Sequence, residues 1–239
     1  MTGALEARRR RSEAAFYRLF DGVEVRDGVW AAVTPELPER SLFNAVVYED
    51  PDALIDSLPD LRDLYDERGV RAWTVWVHTE DREVAHALED DGHRLDAAPE
   101  AMGARIADLN LDGRDIGGPI SWADAVAINE AAYGMPPGAM TMGREIEIEL
   151  LGVPGRSVVG SVECDGDCWI GMVATHPSEQ ANGLCTTLMK QTLRGALERG
   201  CETTTLEASR AGEPCYLRLG YERLGPLEMW EKRRAAETS

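Results

Sequence analysis

Two stretches of this chain share one order of elements, and that order dictates a sheet covered by helices. In each, a helix-period segment closes on Arg-Gly and a run of strand-forming residues follows: Arg68-Gly69 precedes Ala72 to His78, and Arg199-Gly200 precedes Thr203 to Ala208. Leu88 to Gly92 then corresponds to Tyr216 to Gly220, and the Gly-to-Gly spacings are similar, 69 to 92 and 200 to 220. Strands alternating with helices bury one face of a mixed sheet under the helices. Recurrence of the whole unit predicts a diverged duplication: an α/β chain of two tandem domains, each a mixed sheet flanked by helices.

Hydrophobic periods place the elements. The first half reads as a helix over about Leu5 to Phe20, a hairpin over Val23 to Val33 turning at Asp27-Gly28, and a strand at Phe43 to Tyr48. A helix from Pro51 to Arg68, a strand at Ala72 to His78, a helix over Asp81 to Glu89 and a strand near Met102 to Leu109 follow. The Gly- and Asp-rich segment Asn110 to Pro119 is the expected linker, dividing the chain into 1–112 and 113–239. Beyond it, Ser121 caps a helix over Trp122 to Tyr133 and Glu145 to Leu151 is read as helical. A hairpin over Val158 to Cys164 and Cys168 to Thr175 leads to a helix over Gly183 to Arg199. The last elements are a strand at Thr203 to Ala208, a helix at Glu213 to Leu219 and a strand at Tyr221 to Trp230.

Composition narrows the function. The chain has 239 residues and a formal net charge of −18, and Lys190 and Lys232 are the only lysines among its 25 basic residues. Such a field repels nucleic acid and anionic membranes and mildly favours a cationic substrate, and acidity of this kind serves solubility or a high-salt setting equally well. No apolar run approaches the ~20 residues of a spanning helix, and no signal peptide opens the chain, so a cytoplasmic location is expected. Five cysteines without a C-x-x-C pair argue against a disulfide framework and a structural metal. Cys164 and Cys168 bracket Asp165-Gly166-Asp167 and could face each other across a hairpin, as small apolar residues.

The chemistry concentrates at Trp169 to Met189. A buried-looking strand meets Pro177, a polar loop follows, and Gly183 opens a helix. A helix start offers unpaired N–H groups and partial positive charge, so it holds phosphates without lysine. Gln180-Ala181-Asn182-Gly183-Leu184-Cys185 and, later, Tyr216-Leu217-Arg218-Leu219-Gly220-Tyr221 stand in order on the appropriate elements. In these two motifs the chain resembles the GNAT N-acetyltransferases over roughly Ile120 to Lys232. Their coenzyme signature, Gln/Arg-x-x-Gly-x-Gly/Ala, is matched in all but its last position, where Cys185 replaces a smaller residue. Asn182 stands where that family usually has a cation.

The resemblance implies acetyl-CoA as cosubstrate, without a metal. Val173, Ala174 and Thr175 would pair with its pantetheine arm, residues 180–186 (Gln180 to Thr186) would cradle its pyrophosphate, and Ser209 would touch the adenosine or pantetheine side. Transfer would be by direct attack of an amine in a ternary complex. Tyr216 would protonate the departing thiolate and the Val173 N–H would polarise the carbonyl. The acceptor is an amine on a small molecule or peptide, and no general base stands out: Trp169 occupies a position where some relatives carry Glu, and His176 reads as a loop residue. The region before Val158 looks too short for the two strands that usually precede this hairpin.

The first half, read as a degenerate copy, has Glu49-Asp50-Pro51-Asp52 at its corresponding helix start and Leu88 at the position of Tyr216. Carboxylates there stabilise a helix and repel pyrophosphate. That domain is expected to shape the acceptor cleft or a subunit interface, the latter compatible with a homodimer. A different class of function is a catalytically silent acyl-CoA-binding or interaction module on the same fold. A dinucleotide-binding domain is excluded because no Gly-x-Gly-x-x-Gly opens a strand-turn-helix unit.

Overall fold

The structure is a computed structural model that describes residues 2–142 and 145–234. In chain order the elements are α1 (Thr2–Arg18), β1 (Val23–Arg26), β2 (Val29–Ala31), β3 (Ala45–Tyr48), α2 (Pro51–Glu67), β4 (Ala72–His78), α3 (Arg82–Asp90), β5 (Arg94–Ala97) and β6 (Glu100–Arg105). They continue as β7 (Gly118–Pro119), α4 (Trp122–Ala132), β8 (Glu149–Val153), β9 (Ser157–Cys164), β10 (Asp167–Thr175), α5 (Leu184–Glu198), β11 (Thr203–Ala208), α6 (Glu213–Leu219) and β12 (Glu222–Arg233).

These elements form two compact units that are discontinuous in sequence. One holds the residues up to Ser12 together with Glu100–Leu224; the other holds Glu13–Pro99 and the chain from Gly225. The division expected between residues 112 and 113 therefore falls inside the first of them. The reason is strand pairing. β6, from the first half of the sequence, lies antiparallel to β11, with Glu100 opposite Ala208 and Arg105 opposite Thr203. β12, from the last part of the second half, lies antiparallel to β4, with Leu227 opposite His78 and Arg233 opposite Ala72. Each sheet is thus finished by a strand from the other half of the sequence.

In the unit of Glu13–Pro99, β1, β2 and β3 are successively antiparallel, β3 runs parallel to β4, and β12 joins β4 to β5. Every residue of β4 is buried, including Trp73, which stacks on Tyr65, and Trp76, whose indole N–H donates to Tyr17 Oη at 2.7 Å. Both tryptophans are core residues. α2 begins where it does because Asp50 accepts the N–H groups of Asp52 and Ala53 and Pro51 presets the first turn.

The unit of Glu100–Leu224 has the sheet order β6-β11-β10-β9-β8-β7, with β10 and β11 parallel and the other pairs antiparallel. The turn Asp165-Gly166, with φ of 48° and 75°, makes the hairpin of β9 and β10. α5 buries Leu188, Met189, Thr192, Leu193 and Ala196, one stripe at helical spacing, against this sheet. Each fully buried Leu or Met contributes about 2 kcal/mol of apolar burial.

Three sequence expectations change here. Residues 145–151 are not helical. Residues 149–153 form β8, which pairs with β9, and β7 pairs in turn with β8, so two strands do precede the hairpin. Glu145-Ile-Glu-Ile-Glu-Leu alternates charged and apolar residues, the period of a strand, which the helix-forming propensity of Glu and Leu masked. Cys164 and Cys168 do not face each other: the register sets Cys164 opposite Asp167 and Cys168 opposite Glu163. Finally, β6 ends at Arg105 and residues up to Asp108 form a 3-10 turn.

A buried polar cluster replaces apolar packing on one side of this sheet. Asp167 accepts hydroxyls from Ser12, Thr203 and Thr205 at 2.9, 2.7 and 2.6 Å. Arg9, fully buried, pairs with Glu207 at 2.8 Å and Glu6 at 2.9 Å. Removing one partner of such a buried pair strands the other's charge. No described helix is long and apolar enough to cross a membrane.

Candidate functional site

β10 departs from β11 halfway along its length. Parallel pairing runs from Asp167 opposite Thr203 to Ile170 opposite Leu206 and stops, so Val173, Ala174 and Thr175 have no partner on β11. On the other side, Gly171 lies opposite Gly160 but Ala174 opposite Val158: β10 carries one extra residue, a bulge, and Met172 within it has φ of 49°. A bulge bends its strand and redirects its backbone. The departure leaves an opening at the strand's carboxyl end, which is where ligands sit in open α/β sheets.

Beyond Thr175 the loop is pinned by short-range bonds. His176 Nδ1 meets Ser178 Oγ at 2.8 Å, Arg156 pairs with Glu179 at 2.6 Å, and Gln180 Nε2 donates to the carbonyl of Thr175 at 3.4 Å. The Arg156 guanidinium holds the Glu179 carboxyl below its usual range. His176 serves this turn and does not line the cleft.

The start of α5 is open. Gly183 takes φ of 77° at the N-cap, no side chain caps the helix, and its carbonyl accepts the first helical bond, from the Thr187 N–H at 3.0 Å. The N–H groups of Leu184, Cys185 and Thr186 consequently have no intrahelical acceptor. A Cβ at position 183 would meet nothing within 4 Å, so the space before these donors is clear. α2 contrasts with this: its first N–H groups are taken by Asp50.

A cleft of about 580 Å³ joins these features. It is lined by Val173, Ala174 and Thr175 of β10, by Gln180, Ala181, Gly183, Leu184, Cys185 and Thr186 of the loop and first helical turn, and by Ser209 and Tyr216. Of the residues expected to hold acetyl-CoA or act on it, only Asn182 is absent from the lining; it lies exposed on the loop. Ser209 Oγ accepts the Gly212 N–H at 3.2 Å and so shapes the turn into α6. Burial, with the neighbouring Cys185 and Cys215 thiols adding to it, keeps the Tyr216 phenol protonated well above its ordinary range.

Tyr133, Cys215 and Arg218 also line the cleft, and sequence reasoning missed them. Arg218 makes no ion pair among the described residues and gives the cleft a cation that the loop lacks. Its signal was present, since it lies inside the segment Tyr216 to Tyr221, but only the placement of α6 sets it, still exposed, at the cleft. Trp169 is engaged elsewhere: its indole N–H donates to Glu207 at 3.0 Å. Burial raises the Glu207 pKa, and pairing with Arg9 opposes that rise. Among the described residues no cluster of His, Cys, Asp and Glu could hold a metal ion.

The profile of the acetyltransferase (GNAT) domain matches residues 148–230, a span that contains the bulged strand, the open helix start and Tyr216. These residues, about a third of the chain, are what it shares with the GNAT acetyltransferase domain. Its fold is that of a GCN5-related N-acetyltransferase from Kribbella flavida, with a TM-score of 0.69 over 97% of this chain and 96% of that one at 17% identity. A putative GNAT-family acetyltransferase from Novosphingobium aromaticivorans aligns with a TM-score of 0.58 over 87% and 89% of the two chains at 16% identity. A tandem GNAT protein of the clavulanic acid biosynthesis pathway aligns with a TM-score of 0.53 over 73% and 67% at 12% identity. No curated protein matches this chain. At these identities the likeness is one of fold, and the site must be argued from its own atoms.

Proposed function

We propose that this chain transfers an acetyl group from acetyl-CoA to an amine, with one active site, in the unit of Glu100–Leu224. The observation that carries the reading is the uncapped, unobstructed start of α5 sharing a cleft with the unpaired end of β10. Three N–H groups and the positive end of a 15-residue helix suit a diphosphate. Backbone at Val173 to Thr175, released from β11, suits the amides of a pantetheine arm running towards the bulge. Arg218 offsets part of the diphosphate charge, which matters in a chain of net charge −18.

Transfer then follows from the groups at the cleft. A neutral amine attacks the thioester carbonyl, the Val173 N–H stabilises the developing oxyanion, and Tyr216 donates its proton to the leaving thiolate. A phenol whose pKa is raised by burial stays protonated at neutral pH and so carries the proton that the departing thiolate takes. Proton removal from the amine falls to water, because Glu179 is paired with Arg156 and Glu207 with Arg9. The unit of Glu13–Pro99 has a helix start closed by Asp50, and we assign it no coenzyme.

Titration calorimetry with acetyl-CoA, followed by thiol release against a panel of small amines, aminoglycosides and peptide N-termini, tests the reading. Saturable binding with a Tyr216-dependent rate is expected. Absence of binding at millimolar acetyl-CoA defeats it; binding without turnover of any amine leaves a silent acyl-CoA-binding module instead.

A further inference from the structure

Two of the five cysteines meet in the cleft wall. Cys185 occupies the first turn of α5 and Cys215 lies on α6, 30 residues later in sequence, yet both line the same cavity. Thr186, the residue after Cys185 in the first turn of α5, places its hydroxyl 3.2 Å from Cys215 Sγ, which sets Cys215 against that turn. The other three are differently placed: Cys168 and Cys201 are buried in the core, and Cys164 lies in β9, opposite Asp167. We propose that Cys185 and Cys215 form a dithiol that a low-molecular-weight disulfide oxidises in place, joining the first turn of α5 to α6 covalently.

The environment assigns the order of events. Hydrogen bonds from the Cys185 thiol and the Thr186 hydroxyl, with help from the Arg218 charge, bring the Cys215 thiol down to about 6. The interaction with Cys215, with burial adding to it, pushes the Cys185 thiol up. Cys215 is therefore the attacking thiolate at neutral pH. It displaces one thiolate from the small disulfide and becomes a mixed disulfide. Cys185, no longer beside an anion and sitting at the positive end of α5, releases its proton to the displaced thiolate. It then attacks Cys215 Sγ and expels the second thiolate, which takes a proton from solvent. Two protein thiols are oxidised to one disulfide, and one small disulfide is reduced to two thiols.

The dithiol stands on the shared cleft and on the seating of Cys215 against the first turn of α5; only its sensitivity to acetyl-CoA rests on the proposed function. Fully reduced protein is incubated with oxidised glutathione, trapped by alkylation, digested and analysed by peptide mass spectrometry. The expected product is a Cys185–Cys215 cross-link, with Cys168 and Cys201 alkylated only after denaturation. Cys185→Ser should stop at a glutathione adduct on Cys215, and Cys215→Ser should give no adduct at that position. Wild-type protein that accumulates a stable adduct without the cross-link, or that reacts first at another cysteine, overturns the proposal. Acetyl-CoA at ten times its dissociation constant should slow cross-linking about tenfold, because only about a tenth of the clefts remain empty. Cross-linking at an unchanged rate would instead refute the acyl-CoA cleft and leave the dithiol standing.

Discussion

Gly183→Ala tests the proposed phosphate cradle, because the structure separates its two consequences. The first is backbone strain: at φ of 77° an alanine costs about 1–2 kcal/mol. For a chain of this size that corresponds to a fall in Tm of roughly 2–8 °C. The second concerns the ligand alone. The added methyl meets no protein atom within 4 Å, so any further effect falls on a ligand seated at the Leu184, Cys185 and Thr186 N–H groups. Loss of one hydrogen bond to a charged group costs about 1.5–3 kcal/mol, which is a 10- to 150-fold weaker Kd for acetyl-CoA. Gly200→Ala is the matched control, at the opposite end of α5, with φ of 102° and likewise nothing within 4 Å of its Cβ. It should lose comparable stability and keep its affinity. Differential scanning fluorimetry and calorimetry on the two variants decide the matter. If Gly183→Ala binds acetyl-CoA as tightly as Gly200→Ala does, no diphosphate rests at this helix start.

Three further outcomes are expected. Tyr216→Phe should lower kcat about 10²- to 10⁴-fold with acetyl-CoA affinity changed by no more than about threefold, since only the acid is removed; equal losses in binding and rate, read by calorimetry and stopped assays, would make Tyr216 a packing residue. Asp50→Ala should cost about 1 kcal/mol through the lost α2 cap without altering coenzyme binding, read as a fall in Tm and an unchanged Kd; an unchanged Tm would show that the cap bonds contribute nothing. His93 is buried, and desolvation lowers its pKa to about 4 despite Asp91, which Lys232 and Arg62 already engage at 2.7 and 2.9 Å. The unfolded chain therefore binds this proton first, so stability contributed above pH ~6.5 is lost as the pH falls towards 4, by roughly 3 kcal/mol. Urea titrations of wild type and His93→Phe from pH 7 to 4 should show a shallower decline for the variant, and parallel curves would count against this assignment.

Part of this protein is settled by neighbouring residues among themselves. Strand, loop and helix from Asp167 to Glu198, the exposed start at Gly183 and the closed one at Asp50 depend on capping, turn chemistry and hydrophobic period, all contained within a few consecutive residues. The cleft residues that sequence reasoning named are mostly of this kind: they follow one another along β10 and into α5. Pairings that join distant residues had no such local signal. Nothing near Glu100 indicates that β6 will lie against β11, and nothing near Leu227 indicates that β12 will finish the sheet of β4, because a strand's edge donors and acceptors are the same whichever partner they meet. Burial on both faces, available only in the assembled units, made that choice and moved the boundary away from residue 112. The same holds for Cys215 and Arg218. Their chemistry is written in the sequence, but their place beside Cys185 exists only once α6 has packed on the sheet.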